Sequence, residues 1–179
     1  MFIAKQLKDK NVCEYLLYMW QIEDTIRAFA ADKEAIKEQY VSRFQYDEEQ
    51  QRLEAQWLSD LTDMMRQEGV MQTGHLQMNK GTLILLTDRH NELLADEDER
   101  QYAAAYYRAL PFIVELRAKA RGQKDQATEE KPELEACFDA LYGVMMLRLQ
   151  KKEISKETET AIAHISHLLA LLAQKYKQE

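Results

Sequence analysis

The sequence predicts an all-α fold, a single-domain bundle of about six to seven helices, on three observations. Apolar residues recur with the 3.6-residue period of a helix in every patterned segment, and nowhere alternate as in a half-buried strand. Only five glycines and two prolines occur among 179 residues, whereas sheets and loop-rich folds spend those residues on turns. Finally, Asn11, Asp47 and Asp96 are each followed three positions later by Glu14, Gln50 and Glu99, the spacing of a capping box at a helix start.

A short helical turn is expected first, followed by helices over 11–31, 33–45, 47–68, 75–95, 97–121, 132–151 and 155–178. The first long helix carries two stripes. Tyr15, Tyr18, Met19, Ile22, Ile26 and Phe29 form the face that docks it on the bundle, and Cys13, Leu17, Trp20, Asp24, Arg27 and Ala31 lie on the other. Asp24 and Arg27 are spaced to pair across one turn, and Trp20 supplies a large ring with a hydrogen-bonding N–H. In 47–68 the apolar stripe is Leu53, Trp57, Leu61 and Met64, flanked by Leu58 and Met65, with Glu48, Glu49 and Arg52 facing water.

Helix 75–95 turns Asn79, Leu83, Leu86, His90, Leu93 and Leu94 inward. A buried amide and imidazole each need a hydrogen-bond partner, and burial disfavours the imidazolium, so His90 is expected to be neutral near pH 7. Helix 97–121 is expected to kink at Pro111, which cannot donate to the carbonyl of Tyr107. The polar, glycine-led segment 122–131 reads as a mobile linker within one domain, 1–179. Beyond it, helix 132–151 is apolar on most sides across Tyr142 to Leu147, as for a central helix or a subunit contact, and Gly143 would let another helix approach closely. The last helix has the clearest seam: Thr158, Ile162, Ile165, Leu169, Leu172 and Tyr176.

Composition excludes several functions. A net charge of −7 with dispersed bases disfavours nucleic acid as a partner. No His has a carboxylate three residues before it, so the Glu-x-x-His pairs of di-metal bundles are missing; His164 and His167 read as surface residues, and neither metal nor cofactor is expected. Cys13 and Cys137 lie among apolar neighbours and read as buried small hydrophobes. Gly69, Gly74 and Gly81 lack the Lys-Ser/Thr of a phosphate loop. The opening residues have no apolar signal region, and the nearly apolar run 162–173 is too short to cross a membrane. A soluble cytoplasmic protein is the expectation.

The opening MFIAKQLKDKNVCEYLLYMWQIED resembles the start of an uncharacterised bacterial family known only as a domain of unknown function, most strongly over residues 1–31. That resemblance implies an all-helical fold and brings no activity, cofactor or catalytic residue with it. Two readings of function follow from the residues. The first is a non-enzymatic interaction protein that self-associates, as a homodimer or with a protein partner, placing Trp20, Asp24 and Arg27 at a subunit contact. The second is a small enzyme or ligand sensor with an inter-helix pocket around His90, Asn79, Asp24, Arg27 and Trp20; it requires helices 11–31 and 75–95 to be neighbours, and the sequence carries no signature of its ligand.

Overall fold

A computed structural model describes residues 1–122 and 131–177, with side chains as far as residue 119 in the first stretch. The described residues form eight α-helices, one short 3-10 turn and no strand. In order these are α1 (Phe2–Lys10), α2 (Val12–Ala28), α3 (Lys33–Gln39), the 3-10 turn Val41–Arg43, α4 (Glu48–Gln67), α5 (Gln77–Ala95), α6 (Arg100–Gly122), α7 (Glu133–Leu149) and α8 (Lys156–Tyr176). The all-α class is as expected. The count is one higher than six to seven because the N-terminal segment is a nine-residue helix and not a single turn. Residues 123–130, where the linker was expected, lie outside the described residues, and α6 runs on through Pro111.

Local chemistry sets the boundaries. Asn11 is extended and ends α1, and its side chain accepts from the Cys13 and Glu14 N–H groups to start α2. Asp47 and Gln50 make the reciprocal capping box at α4. Asp96 does not cap a helix at 97. It accepts from the Asp98 N–H, α6 begins at Arg100, and the Glu99 carboxyl turns away to Lys175 at 2.7 Å. Helix α2 stops at Ala28, short of the expected 31, because Ala30 and Ala31 adopt left-handed backbone, with φ of 50° and 59°. The Ala31 N–H then reaches the Ile26 carbonyl, closing the helix end.

Contacts group the chain into two compact units, 1–82 and 83–179, divided within α5, where the sequence reading has one bundle over 1–179. In the first unit, Met19, Ile22, Ile26, Ile36, Leu58, Met65 and Leu76 are at most 2% exposed and form one core. Each fully buried side chain of this kind contributes about 1.5–3 kcal/mol. Glu54 shares the buried face of α4 with Leu58, Leu61 and Met65. Its carboxyl takes the Met1 ammonium and, at 3.3 Å, the Phe2 N–H. In the second unit α6 packs on both α7 and α8, and α7 on α8. Its interior includes Tyr102, Ala109, Ile113, Phe138, Ile165, Leu168 and Leu172.

Both cysteines are buried and free, and burial pushes each thiol up to about 12. As expected, they pack as small hydrophobes and stay protonated at neutral pH. His164 lies half-buried against Phe112, with ring centroids 5.3 Å apart, and His167 is exposed. In α7 only Val144 of the 142–147 segment is buried, and Gly143 faces open space.

Candidate functional site

Three groups at the start of α5 converge on Glu23, a residue of α2 that is 1% exposed. Its position follows from helical spacing: Glu23 lies one turn after Met19 and beside Ile22 and Ile26, on the face of α2 that turns inward. A carboxyl group there must be met by donors, because an unsatisfied buried polar atom costs roughly 1–3 kcal/mol. The chain entering α5 supplies them. One oxygen, Oε1, accepts from the Leu76 N–H at 2.9 Å and from Asn79 Nδ2 at 2.6 Å, and Oε2 meets His75 Nδ1 at 2.6 Å. The Trp20 indole covers the other side of His75, stacked with ring centroids 4.1 Å apart and planes 13° apart.

Arg27, one turn further along α2, holds the same loop by its backbone. Its guanidinium donates to Asp24 Oδ1 at 2.7 Å, to the Val70 carbonyl at 3.0 Å and to the Gly74 carbonyl at 2.5 Å. Both carbonyls belong to the segment between α4 and α5, so α2 grips that connection at two points. The Gln77 N–H finds the Glu68 carboxyl at 2.6 Å, which ties the start of α5 to the end of α4. Two buried atoms within this cluster have no hydrogen-bond partner among the described residues, Arg27 Nε and Asn79 Oδ1.

Four of the five residues singled out in the sequence therefore fall in or beside this clamp: Trp20, Asp24, Arg27 and Asn79. The fifth, His90, belongs to the second unit. It is 5% exposed, its Nδ1 lies 2.6 Å from the Tyr102 hydroxyl, and its ring meets Tyr102 and Tyr106 edge-on. Burial pushes its pKa down to about 4, so the imidazole is neutral near pH 7, as expected from its place on the inward stripe. Asn79 and His90 stand eleven residues apart on α5, about 16 Å at 1.5 Å per residue, and each has its own partners.

Trp20, read from the sequence as part of a subunit contact or a pocket, is covered within its own chain, where it is 2% exposed. Sequence reasoning missed Glu23 and His75. Glu23 could have been found as a carboxylate on an apolar helix face. His75, in contrast, stands in the loop before α5, where helical spacing carries no signal.

The arrangement can fix a loop and orient an imidazole. Among the described residues no group of three or more His, Cys, Asp and Glu side chains is placed to hold a metal ion, and no helix is long and apolar enough to cross a membrane. These features define an all-α protein whose buried polar groups secure its own helix connections. The family of the Domain of unknown function (DUF4924) matches residues 1–179, and the chain belongs to it. No curated protein and no solved structure matches the chain.

Proposed function

We propose that the chain is a non-enzymatic helical interaction protein that associates with a second copy of itself. The supporting observation is a set of large apolar side chains left at the surface of helices already anchored by another face. Ile84 and Leu85 on α5, Tyr107 and Val114 on α6, and Leu149 at the end of α7 are 55% to 66% exposed. Single exposed apolar residues are ordinary, but Ile84 and Leu85 are adjacent on α5 and Tyr107 and Val114 stand two turns apart on one side of α6, and grouped exposed apolar side chains mark interaction surfaces. The polar cluster favours the same reading, since Glu23, His75 and Arg27 are occupied in holding the chain together. Sedimentation equilibrium from low to high micromolar concentration tests it: a dimer is expected, and a chain still monomeric at the upper end defeats the reading.

A ligand-binding role is favoured by one observation, that Asn79 Oδ1 and Arg27 Nε have no hydrogen-bond partner among the described residues. Such a site would use Trp20, Asp24, Arg27 and Asn79 with Glu23 and His75, and not His90. It predicts that some polar small molecule raises the melting temperature of the wild type and not of Asn79→Leu; a screen without such a compound counts against it.

A further inference from the structure

One face of α6 matches itself. Ala104, Tyr107, Pro111, Val114 and Ala118 are all exposed and are spaced three, four, three and four apart, the repeat by which one helix packs along another. At 100° per residue this stripe lies roughly 170° around the helix from Tyr102, Ala105, Ala109 and Ile113. Those four are 0% to 3% exposed and already anchor α6 in its own unit. Among the described residues the outer stripe carries two of the most exposed large apolar side chains, Tyr107 at 66% and Val114 at 56%.

We infer that this stripe is a homotypic interface in which α6 of one copy packs antiparallel against α6 of a second; this rests on the self-association proposed above. The occupant is identified by shape and charge. In an antiparallel pair each seam position of the three-residue step faces one of the four-residue step, which leaves two central registers. In one, Tyr107 lies over Ala118 of the second copy and Pro111 beside its Val114, so that a large side chain meets a small one. Flanking positions of like kind then face each other, and Arg108 stands opposite Glu115 of the second copy, twice by symmetry. The other register sets Arg108 against Arg108, which like-charge repulsion disfavours.

Side-chain partners fit the chosen register. Arg108 has no ion-pair partner among the described residues, and Glu115 is paired at the surface with Lys119 at 2.6 Å, with its side chain 60% exposed. The overlap from residue 107 to 118 is about 16 Å long at 1.5 Å per residue. Contacts this short fall at the small end of specific interfaces and associate weakly.

Sedimentation equilibrium of the full chain tests the assignment. Val114→Lys and Arg108→Glu are each expected to weaken dimerisation at least tenfold while circular dichroism stays helical. Arg108→Glu combined with Glu115→Arg is expected to return to within about threefold of wild type, because the reversed pair attracts again. Gln56→Lys, on the exposed side of α4, is expected to change nothing. Orientation has its own readout: on oxidation, Tyr107→Cys copies cross-link to Ala118→Cys copies when mixed, and neither forms disulfide dimers alone. A wild-type dimer insensitive to Val114→Lys and Arg108→Glu places the contact elsewhere and overturns this inference, as does cross-linking of Tyr107→Cys with itself. A monomeric wild type overturns the self-association reading instead.

Discussion

Replacing Glu23 separates hydrogen bonding from packing at the clamp. Its Oε1 accepts two bonds, from the Leu76 N–H and Asn79 Nδ2, while Oε2 faces His75 Nδ1. Glutamine can keep all three contacts: its carbonyl takes the Oε1 position and its amide donates to Nδ1, with the imidazole carrying its proton on Nε2. Methionine has similar volume but no acceptor, so it strands two donors in a site that is closed to water. Leu76 and Asn79 are 0% and 1% exposed; at roughly 1–3 kcal/mol for each orphaned donor the loss is about 2–6 kcal/mol. His75, whose side chain is 27% exposed, recovers its bond from water and adds little.

The expected order is therefore wild type close to Glu23→Gln, within about 1 kcal/mol, with Glu23→Met lower by several kcal/mol. Urea unfolding followed by far-ultraviolet circular dichroism measures this, and amide exchange at Leu76 reports the same loss locally. If Glu23→Met proves as stable as Glu23→Gln, the donors at the start of α5 do not depend on the carboxyl, and the account of the clamp fails.

Two further outcomes follow from particular groups. His90 binds its proton near 6.5 in the unfolded chain but only near 4 when folded. Stability should therefore fall as pH drops through that window, by up to about 3 kcal/mol at its lower end; urea midpoints against pH measure it, and a profile of equal slope in His90→Phe refutes the assignment. At the left-handed positions opposite signs are expected. Ala30→Gly, at φ 50°, should raise stability by up to about 1 kcal/mol, and Gly69→Ala, at φ 70° with open space around it, should lower it by about 1–2 kcal/mol. Thermal melts decide both, and a gain from Gly69→Ala would show that the backbone conformation is not the controlling factor.

The sequence made the helices legible wherever the buried face was uniformly apolar. Ile162, Ile165, Leu169 and Leu172 of α8 are buried as their spacing predicts. In α4 a buried polar residue concealed the seam. The expected stripe runs through Leu53, Trp57, Leu61 and Met64, whereas Glu54, Leu58, Leu61 and Met65 form the buried line and Trp57 and Met64 are only partly covered. The end of α2 was hidden for a different reason: Ala30 and Ala31 take a conformation that usually announces itself with glycine. At the clamp, Arg27 and Asn79 stood out as polar residues on helical stripes, but their partners are the backbone of the 70–76 loop and the carboxyl of Glu23. Spacing within a helix says nothing about which distant loop will fold back against it.

Helix α5 crosses the division between residues 82 and 83, which governs how this chain can be dissected. A cut placed there would leave Gln77–Thr82 as a six-residue stub on one fragment and Leu83–Ala95 on the other. Six residues are too few to sustain a helix in water, and the thirteen-residue remainder would begin with four N–H groups deprived of acceptors. Separate expression of each half therefore calls for fragments that overlap through the whole of α5, and a protease attacking the native chain should spare this boundary in favour of exposed loops.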